Sequence, residues 1–533
     1  MELLLNAKQM KACDERTIGL GIPSVVLMER AALAVVEEME QASLDLSRVL
    51  VICGSGNNGG DGFAVARMLA YTPEGWAGSV FPPVCPRQRT AAKANAARQV
   101  AVFFAGKETA MTKETALERR ICENCGIKIS SNFPDGEYTT IVDAMFGIGL
   151  SRAVEGRYAD VIEWINAQNA QVVSVDIPSG VSADTGCAPG RAVCADLTVT
   201  FAARKLGQIL YPGAAYCGRL VCKDIGIPTG GMNASESFAS GKVPPVFTYT
   251  EQDLTRLPKR VPDSHKGTFG KVLLIAGSEG MSGAACLAAR GAFRSGCGMV
   301  RVFTPACNRL VIQTAIPEAM VTSWEPGEAK LELLAEALAW SDVVGIGPGL
   351  GTTEDAKELL GHVLGHYAKP LVIDADGLNL LSAHRSLNIP ASLRGRVILT
   401  PHVGEMARLA GLDKQAILAD LIGTARQFAS FREVVCVLKD ARSVVSDGKQ
   451  VYLNTSGNDG MAVAGSGDVL TGVLCGLLAQ GMSVFDAASL GVYIHGLAGD
   501  LARDELGAYG MMAGDIANFV GKVMKRKKSS DAG

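Results

Sequence analysis

The sequence predicts an α/β protein of two three-layer α/β/α domains, and three observations carry that expectation. At 533 residues the chain is too long for one hydrophobic core. In both halves, short apolar runs of the buried parallel-strand type alternate with stretches of helical spacing. The alternation breaks once, at 226–246 (GIPTGGMNASESFASGKVPPV), a Gly-, Ser- and Pro-rich stretch without periodicity that reads as a linker. The expected division is a domain over 1–232, a linker over 233–247 and a domain over 248–533.

Composition narrows the class. A hydrophobic content of 48% is that of ordinary globular protein, and a net charge of −3 excludes a nucleic-acid binder, which needs a basic face. The one basic cluster, KRKK at 525–528, reads as a solvated tail. Fourteen cysteines form no paired framework, and Cys122 and Cys125 lack the second pair or histidine that would complete a zinc site. The first residues, MELLLNAKQMKACDER, carry no uninterrupted apolar leader, and no run approaches a membrane span. A cytoplasmic protein with no membrane partner is expected.

In the first half, 24–39 has apolar residues at helical spacing behind Ser24, which reads as its N-cap. The strand 48–53 (RVLVIC) runs into a polar glycine loop, 54–62 (GSGNNGGDG), and helical periodicity resumes at 63–69. This is neither the dinucleotide fingerprint nor a Walker A loop. Strand 139–143 (TTIVD) leads into AMFGIGLSR, and strand 171–176 (QVVSVD) into Ile177-Pro178-Ser179-Gly180. Ligands of open parallel sheets bind beyond the carboxyl ends of the strands. Asn58, Asp143, and Asp176 with Ser179 would meet there, a set of oxygens suited to a hard cation or a sugar hydroxyl. One such Asp alone would more often be a helix cap.

GSGNNGGDG, VDAMFGIGLSR, VDIPSGVSADTG and the opening GIPSVVLMERA resemble the Rossmann-like NAD(P)H-hydrate epimerase domain of the YjeF N-terminal type, over roughly 1–228. The resemblance implies epimerisation at C6 of hydrated NADH or NADPH with potassium in the site. By motif it assigns Asn57, Asn58, Gly59, Gly60, Asp61, Gly147, Ile148, Gly149, Leu150, Ser151, Arg152, Ala153 and Asp176 to the hydrated dinucleotide. It assigns Asn58, Asp143 and Ser179 to the cation. Inversion at C6 needs an acid–base carboxylate, and Asp143 and Asp176 are the candidates, with catalyst and cation ligand left undivided. Ser55 departs from the family's usual Asn.

In the second half, 271–276, 342–346, 371–373, 397–399 and 434–438 read as strands with helices between them. Each ends in polar or small residues: GSEGMSGAA at 277–285, GIGPGLG at 345–351, DADGLN at 374–379, PHVGE at 401–405 and KDARS at 439–443. His402 stands in a Pro/Gly turn beside Glu405, and Lys439 could face nucleotide phosphates. A hairpin around Asp447-Gly448 then delivers the chain to 454–472 (NTSGNDGMAVAGSGDVLTG), which reads as a flexible glycine loop feeding a helix. Such a loop offers N–H groups and a helix dipole to phosphate, and Asp468 stands where a base would take a hydroxyl proton.

This half resembles the ribokinase-like superfamily. Within it, HKGTFGKVLLIAGSEGMSGAA, GIGPGLG, DADGLN, LTPHVGEM and the glycine loop resemble the nucleotide-dependent NAD(P)H-hydrate dehydratases, over about 248–522. The chain as a whole therefore resembles the bifunctional NAD(P)H-hydrate repair enzymes. That implies ADP as phosphoryl donor with Mg2+, although the residues themselves give no reason to exclude ATP. It implies Asp468 as catalytic base, Ala284, Gly349, His402 and Asp468 on the hydrated cofactor, and Lys439, Asp440, Ala441, Arg442, Ser443 and Gly467 on the nucleotide. Asp440 stands where family members commonly have Gly. The implied substrates are hydrated NADH, hydrated NADPH and ADP, and the implied assembly is a homo-oligomer. A small-alcohol kinase of the vitamin-precursor type shares the G-x-G-D loop but leaves residues 1–228 unexplained, and a first half that only binds nucleotide is the remaining alternative.

Overall fold

The structure, a computed structural model, describes residues 1–72, 75–76, 98–150, 152–229, 245–325 and 328–525. The chain divides into two compact units, Leu3–Gly241 and Lys242–Gly533 with Met1–Glu2. Ser151, most of the expected linker and most of the basic tail lie outside the described residues. No helix among the described residues is long and apolar enough to cross a membrane.

The first unit is a parallel sheet with the strand order Arg219–Lys223, Leu197–Phe201, Gln171–Val175, Thr140–Ala144, Arg48–Cys53, Gln99–Phe104, Lys128–Ser130. The chain moves outward in one direction from Arg48–Cys53, then returns and moves outward in the other from Thr140–Ala144. Their following loops part at that reversal and leave a crevice. Helices cover both faces of the sheet, which is why the buried RVLVIC reads as a continuous apolar run. LTVTF, not expected, carries Thr198 and Thr200, which donate to the Cys217 carbonyl and to Asp176.

The helix expected from Ser24 spans Ser24–Gln41, but its N-cap is Pro23 without a side-chain cap. The Ser24 hydroxyl instead donates to Glu114 Oε1 at 2.7 Å. A second correction matters more. Helix begins at Asn57, so the loop part of GSGNNGGDG shrinks to Gly54–Gly56. The later glycines serve close packing. A Cβ at Gly59 would lie 2.0 Å from the Gly54 carbonyl oxygen, and one at Gly62 would lie 2.5 Å from Ala144 Cβ.

The sheet of the second unit contains, in order, Val246–Thr248, Val451–Leu453, Val444–Ser446, Val435–Leu438, Val397–Leu399, Leu371–Ile373, Val343–Ile346, Lys271–Ile275, Met299–Pro305 and Met320–Trp324. It is parallel except around the Val444–Ser446 strand, whose hairpin turns at Asp447-Gly448 as expected. Here the reversal falls between Lys271–Ile275 and Val343–Ile346. The expected strands are present. Met320–Trp324, which was not expected, is an edge strand whose MVTSW is largely half-buried, so it carries no continuous apolar run.

Two helices of this unit touch backbone to backbone. Along the Ser466–Ala479 helix, a Cβ at Gly472 would lie 1.9 Å from the Ala288 carbonyl oxygen, and one at Gly476 would lie 2.0 Å from Ser295 Oγ. From the Ser282–Arg294 helix, a Cβ at Gly291 would lie 2.3 Å from the Val469 carbonyl oxygen. Glycine is required along this seam because each contact is to backbone or to a short buried side chain. Gly472→Val is expected to destabilise the unit by about 1–3 kcal/mol or more through overpacking, measured by denaturant unfolding; an unchanged midpoint would contradict the seam.

Candidate functional site

In the first unit a cavity of about 610 Å³ opens at the sheet reversal. Its floor is the turn after Arg48–Cys53. Gly54 permits that turn, since a Cβ there would lie 2.0 Å from the Met145 carbonyl oxygen. The Asn57–Ala70 helix points its N-terminus at the cavity, with Gly56 as an N-cap that leaves no side chain over the first N–H groups. A 14-residue helix carries a useful dipole there for an anion. Asn57, Asn58, Asp61, Gly147, Ile148, Gly149, Leu150, Arg152 and Asp176 all line the cavity. Ala153, Gly59 and Gly60 do not, and the two glycines are buried behind it.

Asp143 sits below this cavity, fully buried. Its carboxylate accepts from Ser179 Oγ (2.6 Å) and Ser179 N (2.8 Å), Ser174 Oγ (3.0 Å) and Met145 N (3.3 Å). Burial pushes its carboxyl up, and the Ser179, Met145 and Ser174 donors pull the other way. Ser179 Oγ in turn accepts from Phe146 N at 3.0 Å. Asn58 is buried beside Gly147, and its Nδ2 has no hydrogen-bond partner among the described residues. A half-turn of that amide presents an oxygen instead. Amide, hydroxyl and a single carboxylate make a donor set of hard oxygens, which fits a weakly charged cation better than a transition metal.

Asp176 ends its strand with φ +65°, a left-handed conformation that costs a non-glycine residue of order 1–3 kcal/mol. The local hydrogen bonds hold it there. Its N–H donates to the Val199 carbonyl (2.8 Å), and its own carbonyl accepts from Gln208 Nε2 (2.6 Å). Its Oδ1 accepts from Thr200 Oγ1 (3.0 Å) and from the buried Lys205 Nζ (2.6 Å).

In the second unit the carboxyl ends of three adjacent strands and the Ser466–Ala479 helix supply the polar groups. Asp374, 1% exposed, is their hub. Its Oδ1 accepts from Lys439 Nζ and Thr400 Oγ1, and its Oδ2 from Thr471 Oγ1, each at 2.7 Å. Burial alone would raise this carboxyl, yet the Lys439 ammonium and the hydroxyl donors hold it below the usual range. Burial would likewise lower Lys439, and Asp374 and Glu405 outweigh it and keep the ammonium charged. A Cβ at Gly467 would lie 3.5 Å from Lys439 Nζ and 3.8 Å from Asp374 Oδ2, so the glycine loop and this ion pair meet.

The Ser466–Ala479 helix starts one residue after Gly465 (φ +90°), which puts Asp468 in the first turn and not at the N-cap. Burial first, then Asp374, raises its carboxyl to about 6, with Lys439 opposing. The 454–466 approach is pinned, contrary to the flexible loop expected. Gly457 N and Asn458 Nδ2 donate to Asp500, both at 2.9 Å, and Ser456 Oγ donates to the Tyr493 carbonyl at 2.9 Å. His495, buried and lowered to about 4 by burial, lies 3.0 Å from the Ser466 carbonyl oxygen through Nε2.

Ala284 and Gly349 are brought together across the sheet reversal, where a Cβ at Gly349 would lie 2.9 Å from Ala284 Cβ. His402 caps the Val403–Ala410 helix, its Nδ1 accepting from Gly404 N (2.9 Å) while Nε2 lies 3.5 Å from Glu405 Oε1 and the side chain as a whole is exposed. Asp440 and Ala441 are exposed, and Arg442 donates to the Thr455 carbonyl at 3.1 Å. Lys439 through Ser443 thus form a rim leading from the ion pair to the hairpin.

A family model described as NAD(P)H-hydrate dehydratase matches residues 272–521, and one described as YjeF-related protein N-terminus matches 24–80 and 89–207. The "Bifunctional NAD(P)H-hydrate repair enzyme Nnr" of Moorella thermoacetica is 39% identical over 516 residues, covering 95% of this chain and 93% of its own. The chain belongs to the bifunctional NAD(P)H-hydrate repair enzyme family. Relatives of the same name from Thermofilum pendens and Escherichia coli are 36% and 35% identical, covering 95% of this chain and 93% and 90% of theirs. A solved ADP/ATP-dependent NAD(P)H-hydrate dehydratase of Bacillus subtilis is 32% identical over 52% of this chain and 97% of its own, with a TM-score of 0.46. As in its relatives, an epimerase-type and a dehydratase-type domain are joined in one chain.

Within this repair-enzyme frame, sequence reasoning left out Lys205, Thr200, Asp14, Thr400 and Thr471. Lys205 follows a strand-end arginine in FAARKLG and carries no signal of its own. The Asp374 hub was visible only as part of DADGLN, because its partners come from 26 to 97 residues away.

Proposed function

We propose that this chain repairs hydrated NADH and NADPH, epimerising C6 in the domain over 1–232 and dehydrating the S epimer in the domain over 248–533. The observation that carries the reading is Asp468, a carboxyl raised to about 6 at a helix N-terminus beside the ion pair of half-buried Lys439 and buried Asp374. Asp468 takes the proton of the C6 hydroxyl, and the terminal phosphoryl of ADP passes to that oxygen. Loss of phosphate from C6 and of a proton from C5 restores the ring double bond, the ring nitrogen supplying the electron push. Backbone N–H groups at Ala464–Gly467 and the Lys439 ammonium stabilise charge on the moving phosphoryl. Mg2+ would accompany the nucleotide phosphates and neutralise their charge. Ala284, Gly349 and His402 would face the hydrated ring, and Lys439–Ser443 with Gly467 the nucleotide.

In the epimerase cavity, Asn58, Asp143 and Ser179 would hold K+, which would add positive charge under the strand ends. Asp176, Asn57–Asp61 and the 147–153 segment would hold the hydrated dinucleotide. With every Asp143 oxygen accepting from protein donors and the side chain buried below the cavity, proton transfer falls to carboxylates that face the cavity. The protein would work in the cytoplasm as a homo-oligomer, which light scattering checks.

The decisive experiment supplies a mixture of R and S hydrated NADH with ADP or ATP and Mg2+ and follows the NADH absorbance. Complete conversion faster than spontaneous epimerisation is expected, with ADP the better donor. Conversion of half the mixture would remove the epimerase assignment, and none with either nucleotide would remove the dehydratase assignment. A base raised to about 6 must be ionised to work, so dehydration rate is expected to be full above pH 7 and to fall tenfold per unit well below pH 6. A flat profile between pH 5 and 7, measured on S hydrated NADH alone, would contradict that role.

A further inference from the structure

Three carboxylates line the epimerase cavity: Asp14 from the Ala7–Gly19 helix, Asp61 from the Asn57–Ala70 helix, and Asp176 from its strand end. They are not equivalent. Lys205 Nζ spends its three protons on Asp176 Oδ1 (2.6 Å), Thr200 Oγ1 (2.7 Å) and the Phe201 carbonyl (3.1 Å). Asp176 Oδ1 is thus held by two donors, Lys205 Nζ and Thr200 Oγ1. Asp14 and Asp61, by contrast, take no hydrogen bond from a protein donor among the described residues. Two unclamped carboxyls on separate helices thus face one ligand-sized space.

We propose that Asp14 and Asp61 form the proton-transferring pair of the epimerase site, while Lys205-clamped Asp176 is a fixed anion. The inference rests on the epimerase reading above. Inversion at C6 needs a donor on one face of the ring and an acceptor on the other. One carboxyl protonates the C6 hydroxyl, the C–O bond breaks with both electrons to oxygen, and water leaves. The ring nitrogen's lone pair forms the C=N bond of a cation, which the Asp176 carboxylate faces. Water then adds from the opposite side and gives its proton to the other carboxylate. One proton has crossed from one Asp to the other, and the reverse turnover or solvent returns it.

Electrostatics supports the division. Burial, then Asp176, raises Asp14 to about 6, with Lys205 opposing and Glu15 adding. Burial, then Asp176, Asp14 and Glu118, raises Asp61 well above its ordinary value. Lys11 and Arg152 also line the cavity. Burial and the neighbouring carboxylates thus push both carboxyls toward the protonated form, the direction a general acid needs.

The test uses the full chain with purified R hydrated NADH. Asp14→Asn is expected to slow epimerisation at least about 100-fold at saturation, with KM within about threefold and dehydration of S hydrated NADH unchanged. Asp14→Glu should recover part of the rate, and wild type in ¹⁸O-water should place one solvent oxygen at C6 per inversion. Epimerisation by Asp14→Asn within fivefold of wild type would overturn the proposal. Equal loss in the Asn and Glu variants together with lost affinity would overturn it too, since that marks a structural part for Asp14. Absence of epimerisation by wild type would instead remove the epimerase reading itself.

Discussion

Asp468→Asn is expected to cut nucleotide-dependent recovery of NADH by about 10²–10⁴-fold, the usual contribution of a positioned general base. The substitution keeps the shape of the first helical turn and removes the acceptor for the hydroxyl proton. Because the loop is pinned through Asp500, Tyr493 and the Ser466 carbonyl, the backbone N–H groups should stay in place. Nucleotide affinity is therefore expected to remain within a few-fold, and epimerisation in the other domain to be unaffected. Single-turnover absorbance with S hydrated NADH separates these quantities. A near-normal rate would return the proton to another group and leave Asp468 as a helix-turn residue.

Asp374→Asn is expected to have the larger effect on stability. The change leaves Lys439 charged, half-buried and without its main counter-ion. Removing one partner of a fully buried pair costs about 3–5 kcal/mol, and the part-exposed lysine places the expected loss at about 2–3 kcal/mol. Thr400 and Thr471 would keep a carbonyl oxygen to donate to, so the loss comes chiefly from the charge. Denaturant unfolding of the dehydratase domain measures it, and the epimerase transition provides the internal reference if the two separate. Asp374→Asn with Lys439→Met should recover part of the stability while staying catalytically poor. If the single variant lost less than 1 kcal/mol, the ion pair would not be what holds these strand ends together.

Gln99–Phe104, Leu197–Phe201 and Met299–Pro305 went unnamed, but RVLVIC, KVLLI and VCVL were legible, since buried parallel strands must be apolar on both faces. Edge strands such as MVTSW were not, since a half-buried strand has no continuous run to betray it. The glycine motifs were legible as sites, but the loop over 454–472 was misread as flexible. Gly59, Gly62 and Gly472 are glycine because another backbone or side chain stands where a Cβ would be, and a sequence does not say which neighbour that is. Asp468 and Lys439 could be named from their motifs. The clamp between Asp176 and Lys205 could not, because it depends on a left-handed turn at Asp176 that sends its side chain toward a lysine 29 residues on.

The seam between the Ser466–Ala479 and Ser282–Arg294 helices bears on how this enzyme can be repaired by a second mutation. A damaged side-chain contact can be mended by trimming its neighbour, but Gly472 abuts the Ala288 carbonyl and Gly291 abuts that of Val469. No amino-acid exchange shortens a peptide oxygen. A suppressor screen against Gly472→Ala should therefore return true revertants, and compensating changes at residues 288 or 292 should be missing.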